Sequence, residues 1–438
     1  MVADACNAFW GNLGITSSDV HLSYLPLAHV FEQLVQNALT MVGAAIGFYQ
    51  GDTLKIMEDI SALQPTIFPS VPRLFNRIYD KVLGGVEAAG GVKAALFKKA
   101  FADKQHYLRS NVNTHAVWDA LVFRPLAARV GLGRCRLMIT GSAPLAAHVM
   151  EFLRCVFSCQ VVEGYGGTEC GGACTVTDPL DLASLGHVGA PLASNEIKLL
   201  SVPDLGYTVA DTVHGEEHDA AGAVIKAGLP CEGRGEVCVR GPNVFPGYYK
   251  DAANTAEALD ADGWLHTGDI GLWDARGHLK IIDRRKNMFK LSQGEYVAAE
   301  KVETALQSAW VQQIFVYGDS LHSMLVAIVV PNPDTLKAWA REQGRAGAAA
   351  EPAALCADAD VVAAVLADFK ARAKSQGLTG FETPRGVHLD AVAWTPDDVL
   401  TPTFKLKRKD AQRRYQAQID AMYASLETVA GRHVKQGE

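Results

Sequence analysis

The stretch RLMITGSAPLAAHVMEFLRCVFSCQVVEGYGGTE, residues 136–169, changes its period twice. RLMIT is a short apolar run of strand type. Beyond GSAP, the residues Leu145, Val149, Phe152, Leu153, Val156 and Phe157 share one helical face. Pro144 suits a first helical turn, where its missing N–H is no loss. QVVEGYG then returns to strand. A strand–helix–strand unit of this kind belongs to an α/β fold with a parallel sheet, in which loops leaving the carboxyl ends of the strands form the ligand crevice. GSAP (141–144) and GYGGTE (164–169) are therefore expected to open on one rim.

The second of these loops gives up side chains around one hydroxyl, Thr168, and one carboxylate, Glu169. Consecutive glycines let backbone N–H groups approach a ligand closely, and a hydroxyl beside a carboxylate suits a phosphate with its magnesium, since hard cations take oxygen ligands. Taken by themselves the same residues also read as a tight turn with a capping Thr and a solvated Glu.

Outward from this unit the texture changes. LTMVGAAIGF (39–48) is about half of a membrane span and reads as a buried helix or strand. From about 186 to 285, short strands alternate with Gly-rich turns, as in GEVCVRG (235–241), GWLHTGD (263–269) and HLKIID (278–283), which predicts an antiparallel barrel-like or sheet segment. Residues 205–234 are rich in Gly, Ala and charge and read as a surface insertion. After DRRKNMFK (283–290) comes an α+β pattern: a helix with Val302, Ala305, Leu306 and Ala309 on one face, the strand SMLVAIVVP (323–331), and an Ala-rich helix within 345–375 behind a loop. The domain boundary is placed there, giving 1–284 and 285–438.

Composition excludes several classes. The 438 residues are 49% apolar, enough for a sizeable core and more than one domain. A formal charge of −7 provides no basic footprint for nucleic acid. The nine cysteines show no CxxC pairs or zinc-ligand spacing with histidine, as expected of small core residues in a reduced compartment. The first twenty residues lack the pattern of a signal peptide.

GYGGTE, GWLHTGD, DRRKNMFKLSQGEYV, YLPLAHVFE and LTPTFKLKR lie along one chain, and together they resemble the adenylate-forming (AMP-dependent) synthetase superfamily. Their wording, with PTIFPSVPRLFNRIYDK and VRGPNVFPGYYKD, is similar to the long-chain fatty acyl-CoA synthetases. The resemblance covers essentially the whole chain. It implies an adenylate-forming enzyme fold: a partial large AMP-binding domain, a parallel sheet with helices plus a small β-barrel-like segment, and a small mobile α+β C-terminal domain. It implies ATP and coenzyme A as co-substrates with Mg2+, a long-chain fatty acid as the acyl donor, and a place in the cytoplasm or peripheral on an intracellular membrane.

The resemblance also implies residue roles. Glu169 would hold magnesium on the ATP phosphates, and Thr168 would contact the α-phosphate or the acyl carboxylate. Gly164, Tyr165 and Gly166 would flank the adenine, with Gly141, Ser142 and Ala143 as the opposite wall; Ser142 also reads as a helix cap. Asp269 would accept both ribose hydroxyls, since one carboxylate has two oxygens and no donor. Arg284 would contact ribose and phosphate through its planar fork, and Lys286 would be the hinge of the C-terminal domain. Lys405 would be the mobile catalytic lysine; the family commonly has Gly before it, whereas Phe404 stands here. His29 would lie on the acyl and pantetheine side, with Gln33 where some members place an aromatic gate. Tyr296 is a candidate for stacking on adenine.

One family feature has no counterpart in these residues. A Ser/Thr/Gly-rich loop of the form SGTTGxPKG, which would grip the β- and γ-phosphates, is expected upstream of PLAHVF, and the chain is read as beginning just after it. Two functions stay open: a long-chain acyl-CoA synthetase given as a fragment, or a catalytically incomplete relative that only binds nucleotide, acyl-CoA or a partner subunit.

Overall fold

The computed structural model describes residues 14–218, 224–284, 288–293, 295–345, 351–402 and 404–434. Its chain divides into two compact units, Met1–Ile282 and Asp283–Glu438.

In the first unit, β1 (Val20–Ser23), β2 (Ala45–Phe48), β3 (Ile67–Ser70), β4 (Leu137–Thr140), β5 (Gln160–Tyr165), β6 (Thr175–Val176) and β7 (Ala190–Pro191) form one sheet in the order β2-β1-β3-β4-β5-β6-β7. The first five strands run parallel, and β6 and β7 add antiparallel pairs. The strands β3 and β4 are buried along their whole length, as parallel strands covered on both faces are, while β2 lies at the exposed edge. Side chains still alternate between two cores: Phe68, Met138 and Val161 face the helices Ile56–Leu63, Pro72–Ala89, Gly91–Arg109 and Ala147–Phe157, while Ile67, Leu137, Ile139 and Val162 face the helix Val30–Val42. LTMVGAAIGF splits into the end of that last helix and β2. The break is Gly43, whose left-handed φ of 73° lets its N–H close the helix on the carbonyls of Leu39 and Thr40.

The sequence placed Pro144 in a first helical turn, but the helix begins at Ala147, with Ala146 as its extended N-cap. The intervening residues are held out of the helix, since the Leu145 N–H donates to the Glu163 carboxylate at 3.1 Å.

The segment after β7 resolves to an open four-stranded antiparallel sheet. Its order is Leu279–Arg284, Leu265–Trp273, Arg234–Arg240 and Glu196–Leu200. Backbone bonds between Leu279 and residues Val188 and Gly189, both 2.8 Å, join its edge to the chain entering β7. The insertion carries two short antiparallel pairs, Val213–His214 with Leu229–Pro230 and Glu217–His218 with Val224–Lys226.

In the second unit, the strands Val311–Tyr317 and Val326–Pro331 pair antiparallel, and Gly386–Leu389 adds parallel to the latter. Val311, Ile314, Val316, Ala327 and Val329 face the helices Ala299–Ala305, Pro333–Glu342 and Ala359–Ser375. Phe315, Val326, Ile328 and Val330 face the helix Arg408–Val434. Period-2 alternation thus assigns every helix a face. Among the described residues, no helix is long and apolar enough to cross a membrane.

One polar group ties the first unit's helix layer to a loop. Arg154, buried on the helix Ala147–Phe157, donates to the carbonyls of Leu182 (2.7 Å), Ser184 (2.8 Å) and Val161 (2.9 Å). Replacing it leaves buried acceptors without partners, each costing about 1–3 kcal/mol. Arg154→Met is expected to lower the unfolding free energy by about 3 kcal/mol, read as a fall in the urea midpoint.

Candidate functional site

The site forms where β5 changes partners. Through Glu163 it pairs parallel with β4, and its last two residues, Gly164 and Tyr165, pair antiparallel with Val176 and Thr175 of β6. The loop leaving β4 folds against this junction. A Cβ on Gly141 would stand 3.3 Å from the Gly164 carbonyl oxygen, so the two rim loops meet at backbone distance. Ser142 does not cap the helix; it takes a left-handed φ of 72°, uncommon for a residue with a side chain. Ala143 is exposed beside it.

Gly166 has a different reason from ligand approach. A Cβ there would lie 2.1 Å from the carbonyl oxygen of Gly172, so the chain's own return demands glycine. After Gly167 the turn Thr168–Cys170 is a short 3-10 helix that leaves Thr168 exposed and Glu169 half-buried. Glu169 is held by the segment of VRGPNVFPGYYKD: the Tyr248 hydroxyl donates to its Oε1 at 2.8 Å, and the Phe245 N–H to its carbonyl oxygen at 2.7 Å. Asn243 donates to the Cys170 carbonyl at 2.7 Å. Burial, then the bond to Glu169, pushes the Tyr248 phenol up to about 12, which keeps it a donor.

Asp269 arrives on a bulge. Glu236 pairs with Ile270 and Cys238 with His266, so Thr267–Asp269 stand opposite Val237 alone. Gly268 supplies the positive φ of 71°, its N–H donating to Glu236 Oε1 at 3.0 Å. The Thr267 hydroxyl donates to the Val237 carbonyl at 2.7 Å and accepts from the Asp269 N–H at 3.1 Å. The buried Asp269 carboxylate is thereby aimed at Tyr165, whose hydroxyl donates to Oδ2 at 2.8 Å. Burial, and then the charge of Asp269, hold the Tyr165 phenol well above its ordinary value.

His29 acts as N-cap of the helix Val30–Val42, its Nδ1 accepting from the Phe31 N–H at 3.2 Å. The same helix start reaches both rim loops: Phe31 lies 4.0 Å from the Cβ position of Gly141, and Val30 and Leu34 lie against that of Gly172. Gln33 follows on this helix.

The structure thus brings together Gly141, Ser142, Ala143, Gly164, Tyr165, Gly166, Thr168, Glu169, Asp269 and the helix capped by His29. The remaining candidates are described with their own elements. Arg284 ends the strand Leu279–Arg284 and is exposed, and Tyr296 opens the strand Tyr296–Ala298. Lys405 lies in a turn where Thr401 N–H donates to the Lys405 carbonyl at 2.7 Å and Lys405 N–H to Thr401 Oγ1 at 3.0 Å. Lys286 lies outside the described residues. Sequence reasoning missed Tyr248, which sat in a motif valued only for resemblance, and Glu163, whose signal was an acid directly after two buried valines.

With this geometry in place, comparison with known proteins decides the family. The sequence matches the AMP-binding enzyme family over residues 1–249. The chain belongs to that family. It is 46% identical over 417 residues to the long-chain-fatty-acid–CoA ligase 1 of Cavia porcellus, covering 94% of this chain and 56% of that protein. It is 45% identical over 412 residues to the peroxisomal long chain acyl-CoA synthetase 6 of Arabidopsis thaliana, with the same two shares. The chain therefore spans little more than half the length of these relatives. Among solved structures, it resembles the A domain of the carboxylic acid reductase of Segniliparus rugosus, solved with AMP and a co-purified carboxylic acid: TM-score 0.73, 27% identity, 97% of this chain and 58% of that one. The fold, an α/β adenylate-forming one, is shared.

Glu163 links the two rim loops and is itself deeply buried. Burial pushes its carboxyl up to about 8, against the opposing pull of the Leu145 N–H and Arg154. Between the ordinary value of 4.5 and about 8 the folded chain binds a proton that the unfolded chain releases, so this group's stability is full below that window and lost as pH rises through it. Glu163→Gln is expected to match the parent near pH 5 and to exceed it near pH 9 by on the order of 3 kcal/mol, measured as urea midpoints at both pH values.

Proposed function

We propose that this AMP-binding family member activates a long-chain fatty acid with ATP, forming an acyl adenylate and pyrophosphate, and passes the acyl group to coenzyme A. The observation that carries the reading is the Tyr165–Asp269 pair, 2.8 Å apart across two sheets, beside the backbone junction of Gly141 and Gly164. The identity of 45–46% to a long-chain-fatty-acid–CoA ligase and a long chain acyl-CoA synthetase over 94% of the chain supports the acyl specificity.

A carboxylate is a poor acyl donor because its leaving group would be oxide. Attack of the fatty acid carboxylate on the α-phosphorus converts that oxygen into the bridge of a mixed anhydride, with AMP as the later leaving group. In this reading, Asp269 accepts the ribose hydroxyls while its Oδ2 is fixed by Tyr165, since a carboxylate offers about four lone-pair sites. Glu169 suits a magnesium ion: it offers a single half-exposed carboxylate with Oε1 oriented by Tyr248, and Mg2+ is ordinarily bound by one or two carboxylates together with substrate phosphates and water. Bound there, magnesium would offset charge on the phosphates. Thr168, exposed beside it, is assigned the contact to the α-phosphate or the acyl carboxylate. His29, at the head of the helix that abuts both rim loops, is assigned to the acyl and pantetheine side.

Lys405, on the second unit, is assigned the positive charge that meets the developing charge of the adenylation step. Arg284 is assigned to ribose and phosphate, Tyr296 to the adenine, and Lys286 to the hinge between two domains divided near residue 284. In thioester formation from a finished adenylate the thiolate attacks the acyl carbon and AMP leaves as an anion, so nothing attacks the α-phosphorus, the step to which Lys405 is assigned. Lys405→Ala is therefore expected to lower adenylate formation about 10²-fold or more while sparing thioester formation from supplied acyl-AMP. Single-turnover assays of the two half-reactions check the split, and equal losses in both would overturn the assignment.

Nucleotide recognition is tested by binding alone. A long-chain acyl sulfamoyl-adenosine, an unreactive mimic of the adenylate, is expected to bind the 438-residue chain in calorimetry. Asp269→Ala is expected to weaken it about 10²-fold through the loss of two charge-assisted hydrogen bonds. Unchanged affinity in Asp269→Ala would remove the ribose from this position.

A further inference from the structure

A second cluster of ligand atoms lies on the sheet that carries Asp269. Glu236, Cys238 and His266 occupy adjacent strands, and a carboxylate oxygen, Sγ and an imidazole nitrogen from them lie within 4.8 Å of one another. His266 Nδ1 is 3.6 Å from Cys238 Sγ and 3.4 Å from Glu236 Oε2. Tetrahedral zinc, with Zn–S of about 2.3 Å and Zn–N or Zn–O of about 2.0–2.1 Å, sets its ligand atoms about 3.5 Å apart for S···N and about 3.3 Å for N···O. The two separations to His266 Nδ1 match these values, and all three ligand atoms lie within 4.8 Å of one another.

Two of the ligands, His266 and Glu236, are also held from behind. His266 Nε2 lies 3.5 Å from Asp260 Oδ2, the arrangement in which a carboxylate fixes the tautomer of a metal-binding imidazole. The other oxygen of that carboxylate accepts the N–H groups of Trp264 (2.8 Å) and Asp262 (3.0 Å), so Asp260 is itself fixed. Glu236 Oε1 accepts the Gly268 N–H, which leaves Oε2 facing the cluster. The two ring nitrogens of His266 thus face carboxylate oxygens, Glu236 at Nδ1 and Asp260 at Nε2, with Cys238 Sγ beside Nδ1. A cation satisfies all three atoms at once. Glu236 and Cys238 are buried, while the His266 side chain is 24% exposed, which supplies an entry path.

We propose that Glu236, Cys238 and His266 bind a divalent transition metal of the zinc class, which clips together the two ends of the bulge that presents Asp269. Binding replaces the thiol proton: Cys–SH and M2+ give a metal-bound thiolate and one H+, with no change of oxidation state. The clip is structural. Cys238 and His266 close one side of the bulge and Glu236 the other, with Thr267, Gly268 and Asp269 between them.

Cobalt(II) is the probe, because a thiolate ligand adds a near-ultraviolet charge-transfer band and a tetrahedral site adds visible absorption. The chelator-treated 438-residue chain is titrated with Co2+, then with Zn2+ as competitor. One equivalent is expected to develop both bands, Zn2+ to abolish them, and the thermal midpoint to rise with metal concentration. Cys238→Ser is expected to remove the charge-transfer band, and Asp260→Asn to weaken affinity about 10–100-fold with the band in place. The other seven described cysteines make the Cys238→Ser comparison decisive: a band that survives it belongs to another thiol and overturns the proposal, as does a titration with no band. X-ray absorption of the cobalt-loaded parent chain needs no variant to fold. One sulfur among nitrogen and oxygen neighbours supports the site, and a shell without sulfur overturns it.

Discussion

The change of pairing direction within β5 is the constraint on which the first unit depends. Four residues of this strand, Gln160–Glu163, continue a parallel sheet, and the next two turn to an antiparallel partner. Parallel and antiparallel ladders space their hydrogen bonds differently, and β5 takes β4 on one edge and β6 on the other. Gly164 sits at that switch. The partner strand approaches so closely that Gly166 meets the Gly172 carbonyl and Gly189 meets that of Val176, where a Cβ would stand at 1.8 Å. Gly166, two residues before Thr168, is thus demanded first by the chain itself. The exposed backbone that results is what a nucleotide can use, which is why structural and functional readings of GYGGTE do not compete.

The second sheet is recruited to this junction by a bulge. Three residues opposite one increase the local twist and push Thr267–Asp269 out of the ladder, and bonds from Thr267 and Gly268 back to Val237 and Glu236 keep the excursion rigid. Tyr165 then spans 104 residues of sequence to reach Asp269. A carboxylate buried without a donor would carry a large desolvation cost, and the phenol offsets part of it. The Asp269 carboxylate is therefore held in one orientation by the Tyr165 hydroxyl.

Much of this was legible in the residues. The period change between 136 and 165 gave the strand–helix–strand unit, and the loops at its carboxyl rim hold the candidate residues, because amphipathic periodicity follows directly from burial. Details that depend on partners distant in sequence were not legible. Pro144 has every local mark of a first helical turn, yet the Leu145 N–H is captured by Glu163, a partner from the next strand. Ser142 has the type of a cap but a left-handed backbone. Glu236, Cys238 and His266 lack zinc-motif spacing because antiparallel register, not sequence proximity, brings them together. The reading of 186–285 as an antiparallel barrel-like or sheet segment recovered the antiparallel strands; their order depends on pairings across a 30-residue insertion that local pattern does not encode.

The turn before Lys405 trades backbone strain against packing. At Phe404 the backbone has a φ of 60°, the left-handed region that glycine enters without steric cost. For a residue with a Cβ that conformation costs about 1–2 kcal/mol. Phe404 is half-buried against the cluster of Trp394, Val399, Leu400 and Tyr415, and burying much of a phenyl group returns an amount of the same order. Glycine would make the turn easy and the loop floppy. Phenylalanine makes the turn strained and packs its ring against that cluster, while two bonds between Thr401 and Lys405 join the ends of the turn.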